Sequence, residues 1–387
     1  MKVIYFGGSS TIDCDMPVVK AMQDKGVDVR YYVGIPHKFQ RSNVVEFKKP
    51  FKGWGIYKAS DIQDMKMFSD CVDLERMYFI AGYRGHANWW PFTWILWLYA
   101  VLHMRCQRAD VFHSVWPFRK YTKLLRLVGL KGKRVLTVHD PAQHSNQPGY
   151  EQEEKNRRSM FSWVDRLILL NEKQVDSFVE DYEIDKSRIT ISHLGSYSCI
   201  DKVIPSKEQF DTPFILFFGQ ILPYKGLEYL LKAMHNIHQI HPNVKLIVAG
   251  SGKFDFDVTP YLNLEYIEWR HYYVGIGELS SLLKNCLFSV CPYKDSTQSG
   301  VVQTAFSAGT PLVVSNVGIM AETVRQINGG IIVPPMNKEA LSEACVYLIS
   351  HTDEIRQFRD NIRANWSRLM SWDSISDDYM ECYQKLL

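Results

Sequence analysis

The sequence predicts an α/β fold of two Rossmann-like domains whose parallel sheets face a central cleft. Two observations lead to this prediction: buried apolar strands alternate with helical segments in both halves, and 387 residues exceed what one hydrophobic core supports. Residues 199–213 contain prolines and lack apolar periodicity, which is typical of a linker. We therefore predict an N-terminal domain over 1–205, a C-terminal domain over 206–365, and a C-terminal helix, 366–387, that packs back on the first domain.

The first half opens with a strand, a glycine-containing loop and a helix, as Rossmann-like units do. The strand is Lys2–Phe6, the loop is Gly7–Ser10, and the helix lies near Met16–Lys25. Further strands are predicted from their apolar runs at Asp28–Val33, Lys133–His139, Arg166–Leu170 and Ile189–His193. In such a parallel sheet, the residues that follow each strand meet at one edge.

The second half repeats the alternation. Its predicted strands are Phe214–Phe218, Val244–Ala249, Leu264–Ile267, Leu287–Cys291, Leu312–Val314 and Gly330–Val333. Its predicted helices are Leu227–His238, Ile276–Lys284 and Val301–Ala308. Gly219 and Gly250 follow two of these strands, where a glycine lets a ligand approach the backbone.

The composition and the cysteines indicate a reduced globular protein. Hydrophobic residues make up 46% of the chain, and its eight cysteines form neither CxxC pairs nor a Cys/His pattern typical of metal sites. Met1-Lys2 leads directly into an apolar strand, so we expect no secretory leader. These features predict a cytoplasmic protein without a metal centre.

The charge of the chain is distributed unevenly. The formal net charge is +3, yet Asp110 is the only acidic residue between Arg76 and His139. A basic, acid-free amphipathic segment, 119–134, carries the positions that would contact an anionic membrane or acceptor: Arg119, Lys120, Lys123 and Arg126. The alternative is an ordinary solvated helix face.

A nearly continuous apolar segment, Trp89–Leu102, precedes this basic segment. Its length of about 14 residues is short of the roughly 20 that span a bilayer. It predicts either a buried helix of the first domain or a shallow membrane-contacting helix, since four Trp and a Tyr suit an interface.

Two segments of the second half have the chemistry of a phosphate site. Ser299-Gly300 precedes a helix of small residues, and free N–H groups and the helix dipole at such a start favour an anion. Lys225 lies six residues after Gly219 and can reach a diphosphate as a point charge. The alternatives are an ordinary loop–helix–strand unit and a surface lysine.

Together these motifs resemble a known family. The run FILFFGQILPYKG, then VKLIVAGSG, then A-x-x-x-G-x-P-x-V-x-S, resembles the retaining nucleotide-sugar glycosyltransferases of the GT-B group, family 4, which includes bacterial polysaccharide and mannosyl transferases. Ser371-Trp372-Asp373 is similar to the start of the family's last helix. The first domain resembles the family more loosely, at Gly7-Gly8, Thr137–Asp140 and His193–Gly195.

The resemblance implies roles for individual residues. Lys225, Ser299, Gly300 and Val301 would bind the donor diphosphate, His139 would face the donor sugar, and Gly7 and Gly8 would form the acceptor-side loop. Gly250 would lie at the nucleotide. Gln220 stands where the family usually has an arginine, and the family's two glutamates, seven residues apart, are absent. Asp295 is then the expected acidic group near the sugar, and Gln303 or Thr304 would contact the ribose.

The function implied is transfer of a hexose from a UDP- or GDP-sugar to an acceptor, with retention and without a metal or other cofactor. The basic first domain favours a lipid-linked or oligosaccharide acceptor, as in capsule or exopolysaccharide synthesis, and not nucleic acid. We would then expect a peripheral protein on the cytoplasmic face of the membrane. The alternatives are a catalytically inactive sugar-nucleotide-binding or scaffold protein, motivated by Gln220 and the missing glutamates, and an epimerase or phosphorylase of similar fold.

Overall fold

The computed structural model describes residues 1–36, 38–39, 42, 45–49, 51–82, 91–115, 131–139, 150–197, 199–200, 203, 205–295 and 300–387. The chain divides into two compact units, Met1–Gly195 with Met370–Leu387, and Ser196–Leu369. The first unit thus ends at Gly195, before the predicted boundary at residue 205. Arg119, Lys120, Lys123, Arg126 and Ser299 lie outside the described residues.

Within the described residues, the first unit contains an eight-stranded sheet in the order β3-β4-β2-β1-β5-β6-β7-β8. All neighbouring strands are parallel except β3 and β4. The strands are β1 (Lys2–Gly8), β2 (Asp28–Pro36), β3 (Gly55–Lys58), β4 (Met77–Gly82), β5 (Val111–Ser114), β6 (Lys133–Val138), β7 (Arg166–Leu169) and β8 (Ile189–Ile191). The ends of β1, β5 and β6 therefore lie side by side at the carboxyl edge.

The helices of the first unit pack on this sheet. They are α1 (Ile12–Asp24), α2 (Pro91–Cys106), α3 (Tyr150–Trp163) and α4 (Val175–Tyr182), together with the C-terminal α11 (Trp372–Gln384). Helix α11 contacts α1, and Lys25 Nζ lies 2.6 Å from the Asp377 carboxylate. Ser371 caps α11 by accepting a hydrogen bond from the Asp373 N–H at 3.2 Å. A Cβ on Gly195 would lie 2.5 Å from the Trp372 ring, so this glycine lets the ring pack on the backbone.

Helix α2 has two apolar faces. Leu96, Trp97, Ala100, Val101 and Met104 are buried in the core of the first unit. The opposite side exposes a second set of large apolar residues: Phe92, Ile95, Leu98, Tyr99 and Leu102. The structure thus confirms a helix with one face buried in the first unit, and contact of its exposed face with a membrane stays a prediction. No helix among the described residues is long and apolar enough to cross a bilayer.

The second unit contains, among its described residues, an all-parallel six-stranded sheet in the order β11-β10-β9-β12-β13-β14. The strands are β9 (Phe214–Phe218), β10 (Lys245–Ala249), β11 (Ile267–Arg270), β12 (Ser289–Cys291), β13 (Leu312–Ser315) and β14 (Gly330–Val333). The helices are α5 (Leu227–Ile240), α6 (Ile276–Asn285), α7 (Gly300–Ser307), α8 (Gly318–Ile327), α9 (Lys338–Ser350) and α10 (Thr352–Leu369).

Burial on both faces of this sheet explains its continuous apolar strands. All five residues of β9 and all four of β13 are buried, as parallel strands covered by helices require. At the edge strand β11, Arg270 pairs with Glu208, Glu268 and Glu278. Glu208 precedes β9, so this ion cluster holds the predicted linker against the second unit.

Several sequence-based boundaries were wrong. The strand expected at Leu264–Ile267 is instead Ile267–Arg270, because Leu264 lies in the turn that accepts a backbone hydrogen bond from Ile267. Gly7 and Gly8 belong to β1 and not to a loop, since both pair with β2. The sequence reading also missed β3 and β5, which have only four residues each, and β4, which is a six-residue apolar run.

Candidate functional site

Lys225 is the central charged group at the carboxyl edge of the second sheet. It ends a short 3-10 turn, Pro223–Lys225, and is 6% exposed. Its Nζ lies 5.5 Å from the centroid of the Tyr293 ring, and no described carboxylate forms an ion pair with it. Burial lowers the pKa of Lys225 below its ordinary value. A buried cation without a paired carboxylate favours an anionic ligand.

Three elements converge around this ammonium. A Cβ added at Gly219 would lie 3.0 Å from Nζ of Lys225 and 3.5 Å from Cγ2 of Val301. Gly219 follows β9 with a φ of +100°, and Val301 lies in the first turn of α7. The structure thus brings together the lysine, a strand-end glycine and the start of a helix, the groups that bind phosphate in α/β sheets.

The turn that carries Lys225 is held against the strand β12. A Cβ at Gly226 would lie 2.1 Å from the Pro292 carbonyl oxygen, and Gly226 has a φ of +64°. The Lys294 N–H donates to the Tyr224 carbonyl at 2.7 Å. Only a glycine fits between the turn and the strand, so the Lys-Gly pair is a packing requirement as well as a chemical one.

Helix α7 distinguishes the two predicted ribose contacts. The Thr304 hydroxyl donates to the Gly300 carbonyl at 2.7 Å and is therefore engaged within the helix. Gln303 Oε1 is buried and accepts no hydrogen bond from a described residue. An unsatisfied buried acceptor costs about 1–3 kcal/mol, so Gln303 is better suited than Thr304 to accept a ligand hydroxyl.

Of the other predicted donor-site residues, two are exposed and one packs against the backbone. Gln220 is exposed directly after Gly219, and Asp295 is exposed in the chain that follows β12. Gly250 faces the backbone, since a Cβ there would lie 1.9 Å from the Gly219 carbonyl oxygen. Its role is to let β9 and β10 end side by side.

Sequence reasoning missed the aromatic groups on the neighbouring strand end. His271 Nε2 donates to the Gly252 carbonyl at 2.9 Å and lies near the Phe254 ring. Tyr272 follows it and is half exposed. These residues could have been found as the run His271–Tyr273 directly after a strand. The sequence prediction placed that strand at Leu264–Ile267, so the run did not stand at a predicted strand end.

In the first unit, Gly7 and His139 come together around Asp15. A Cβ at Gly7 would lie 2.2 Å from Asp15 Oδ2, so the absence of a side chain admits the carboxylate. Ligand atoms of Cys14, Asp15 and His139 all lie within 4.8 Å of one another. Gly8 N–H donates to the Thr11 hydroxyl at 3.4 Å, which fixes the chain after β1.

Asp15 is a fully buried carboxylate satisfied by hydroxyl groups. Thr11, Tyr31 and Tyr5 donate to it at 2.6, 3.1 and 3.2 Å. Desolvation raises the pKa of Asp15 to about 7, and these hydrogen bonds oppose the rise. The carboxylate therefore braces the end of β1 and the start of α1, which is where the predicted acceptor-side residues lie.

The Cys14, Asp15 and His139 cluster bears on the expectation that no metal is bound. The linear spacing concealed this cluster, because α1 and the end of β6 meet only in the fold. Three hydroxyls already donate to Asp15, and the Cys14 thiol donates to the Thr11 carbonyl at 3.0 Å. The absence of a bound metal therefore stays a prediction.

The fold and the phosphate-type site define a class: a protein of two parallel-sheet Rossmann-like α/β domains with the GT-B fold. A sucrose-phosphate synthase from Thermosynechococcus elongatus superposes over 100% of this chain and 99% of its own, with a TM-score of 0.68 and 15% identity. HepE from Anabaena, solved in complex with UDP, has a TM-score of 0.65 and 14% identity, with both chains covered completely.

Sequence comparison finds a family match in the second unit and several partial relatives. Residues 212–351 match the family described as glycosyl transferases group 1. An uncharacterized glycosyltransferase (MJ1607) of Methanocaldococcus jannaschii is 33% identical over 183 residues, 46% of each chain. The chain spans about half the length of this and several other curated relatives it matches. This family match lies within the second unit, and over the whole chain the likeness to solved structures shows the GT-B fold.

Proposed function

We propose that the protein transfers a hexose from a nucleoside-diphosphate sugar to an acceptor. The observation that carries this proposal is Lys225, a buried ammonium that lies beside Gly219 and the first turn of α7. HepE, whose fold is similar, has been solved with UDP-glucose, which supports the same donor class here. The donor would be a UDP- or GDP-sugar.

The chemistry follows from the charge that develops as the sugar leaves. The bond from the anomeric carbon to the diphosphate oxygen breaks, and the electron pair stays on the nucleoside diphosphate. Lys225 and the α7 N–H groups would stabilise that charge without rearrangement. The acceptor oxygen would attack the face from which the diphosphate departs, giving retention, and its proton would pass to the leaving phosphate. No metal or other cofactor takes part in this proposal.

The residues around this centre would have supporting roles. Gln303 would accept a hydrogen bond from a ribose hydroxyl, because its Oε1 has no described donor. His139 would face the donor sugar and Gly7 and Gly8 the acceptor, as the family resemblance implies. Asp295 would be the acidic group near the sugar, and Ser299 would complete the diphosphate cradle.

The acceptor we propose is lipid-linked, as in capsule or exopolysaccharide synthesis. The exposed apolar face of α2 supports contact with the membrane interface, since aromatic and aliphatic side chains are favoured there. Arg105 on the same helix and the basic sequence 119–134 would attract anionic lipid headgroups. The protein would then be peripheral on the cytoplasmic face of the membrane.

A direct test is transfer of radiolabelled hexose from a panel of UDP- and GDP-sugars to lipid-diphosphate acceptors, with and without EDTA. We expect turnover with one donor, unchanged by EDTA, and a loss of about 100-fold or more in Lys225→Ala. Lys225→Arg keeps the charge and should retain part of the activity. Lys232→Ala, an exposed lysine on α5, is the matched control. Wild-type turnover in Lys225→Ala would contradict the proposed role.

The second candidate is a sugar-nucleotide-binding or scaffold protein without catalysis. Gln220 motivates it, because a neutral amide there supplies no charge to the diphosphate. Tight nucleotide binding that depends on Lys225, without turnover of any donor, would favour this candidate over transfer.

A further inference from the structure

His113 is a fully buried imidazole in the middle of the first sheet. It lies on β5, is 0% exposed, and both of its ring nitrogens have hydroxyl partners. Nδ1 pairs with the hydroxyl of Tyr383 on α11, and Nε2 lies 2.8 Å from Oγ1 of Thr137 on β6. The ring thus connects the last helix of the chain to a central strand.

Aromatic rings hold this imidazole in place. The Tyr379 ring stacks on it at 5.5 Å between centroids, and the Tyr5 ring lies at 4.6 Å. Burial, and secondarily the neighbouring His139, lowers the pKa of His113 to about 3. The ring is therefore neutral at physiological pH, with one nitrogen donating and the other accepting.

Thr137 links this hydrogen-bonded connection to the predicted site residue His139. Thr137 is the second residue before His139, at the end of β6. At the other end, α11 is fixed to the body of the first unit, where Asp378 accepts a hydrogen bond from Ser192 at 2.7 Å. An anchored helix is therefore joined by two hydrogen bonds to the strand end that precedes His139.

We propose that His113 is a positioning residue: through Tyr383 and Thr137, the C-terminal helix fixes the end of β6 and with it the orientation of the His139 side chain. The inference rests on the proposed function, because His139 is expected there to face the donor sugar. It adds that residues of α11, far along the chain, contribute to transfer without contacting substrate.

A purely structural role would not need this chemistry. A buried ring and two hydroxyls lose hydration that apolar side chains of the same shape would not lose. What the polar network adds is direction, since hydrogen bonds specify one arrangement where apolar contacts allow several. Removing the network should therefore disturb the geometry at His139 more than it lowers the stability of the fold.

The test uses matched substitutions that remove or retain single hydroxyls. Thr137→Val keeps the shape and loses the hydroxyl, Thr137→Ser restores it, and Tyr383→Phe removes the other partner. Because small misplacements of reacting groups are costly, we expect Thr137→Val and Tyr383→Phe each to lower kcat about tenfold. The KM for the nucleotide sugar should be unchanged, and Thr137→Ser should resemble the wild type.

Two further measurements separate positioning from stability. The double variant should lose no more kcat than one single variant, because both substitutions break the same connection. Val101→Ala, on the core-facing side of α2, is the control for a comparable loss of thermal stability. If Val101→Ala lowers kcat as much as Thr137→Val does, the positioning role is wrong.

A measurement that does not depend on turnover is ¹⁵N NMR of the imidazole rings. The His139 ring resonances should shift in Thr137→Val and Tyr383→Phe, and should remain at wild-type positions in Thr137→Ser and Val101→Ala. Unchanged His139 resonances in Thr137→Val would overturn the inference. If the wild type transfers no sugar, the proposed function fails, and the NMR result still decides whether the connection from Tyr383 through His113 to Thr137 orients His139.

Discussion

Nζ of Lys225 lies 3.0 Å from the point where a Cβ on Gly219 would stand. The turn after β9 brings the Lys225 ammonium back to the end of that strand. Because Gly219 has no side chain, the ammonium has room there. The same missing side chain leaves the start of α7 within reach, because Val301 lies 3.5 Å from that point. One glycine thus lets a lysine ammonium and the start of a helix approach the same point.

Gly219→Ala should weaken binding of UDP or GDP about tenfold, because the methyl group displaces the ammonium and strains a φ of +100°. Isothermal titration calorimetry measures this. Gly309→Ala is the matched control: Gly309 has a φ of +71°, and an added Cβ there meets nothing within 4 Å. Equal losses of affinity in both variants would indicate strain alone.

Gln303→Ala should reduce the preference for a ribonucleotide over its 2′-deoxy counterpart, since a hydrogen bond to a hydroxyl contributes about 1 kcal/mol, roughly fivefold in affinity. Thr304→Val should leave that preference unchanged, because its hydroxyl is engaged with Gly300. Competition binding with UDP and 2′-deoxy-UDP provides the comparison. The reverse pattern would assign the ribose to Thr304.

Asp15→Asn should change how stability depends on pH. The folded-state pKa of Asp15, about 7, exceeds the ordinary value of 3.8, so the folded protein binds more protons than the unfolded chain between these values. Stability from this group is present at low pH and is lost as pH rises through 7. Relative to Asp15→Asn, the wild type should lose about 2 kcal/mol of unfolding free energy between pH 5 and pH 7. Urea unfolding at each pH measures this, and parallel profiles would contradict it.

Ile95→Asp should reduce binding to anionic liposomes about tenfold, because burying one isoleucine contributes roughly 1.5–3 kcal/mol. Ile95 lies on the outer face of α2 and is 52% exposed, so the substitution should not affect folding. Ile240→Asp, at the end of α5 and 51% exposed, is the matched control. Flotation that is equal for both variants would remove α2 from the membrane contact.

The sequence predicted the second sheet better than the first. Continuous apolar runs such as Phe214–Phe218 indicate strands buried on both faces, and β9 has those bounds. Strands β3 and β5 have only four residues each and mix polar with apolar residues, so periodicity does not reveal them. Strand β4 is a six-residue apolar run that the sequence reading passed over. Helix α2 was expected, but its apolar run could not indicate which residues face the core.

At the site, motifs of neighbouring residues could be predicted from the sequence, and contacts between residues far apart in the chain could not. A lysine and glycine before a helix, and Gly300 at a helix start, are signals carried by neighbouring residues. Asp15 and His113 gave no such signal, because most of their hydrogen-bond partners belong to other strands and helices. Asp15 acquires its partners only when β1, β2 and α1 pack together.

The sequence by itself determined two α/β units, a turn that carries Lys225 and a helix that starts at Gly300. Strand period, glycine placement and helix starts depend on residues close in the chain. The tertiary structure alone decided that Gly219 lies under Lys225, that Gln303 Oε1 is buried without a described donor, and that Tyr383 reaches His113 across 270 residues. Such contacts depend on how the elements pack, and a one-dimensional pattern does not encode the distance between residues far apart in the chain.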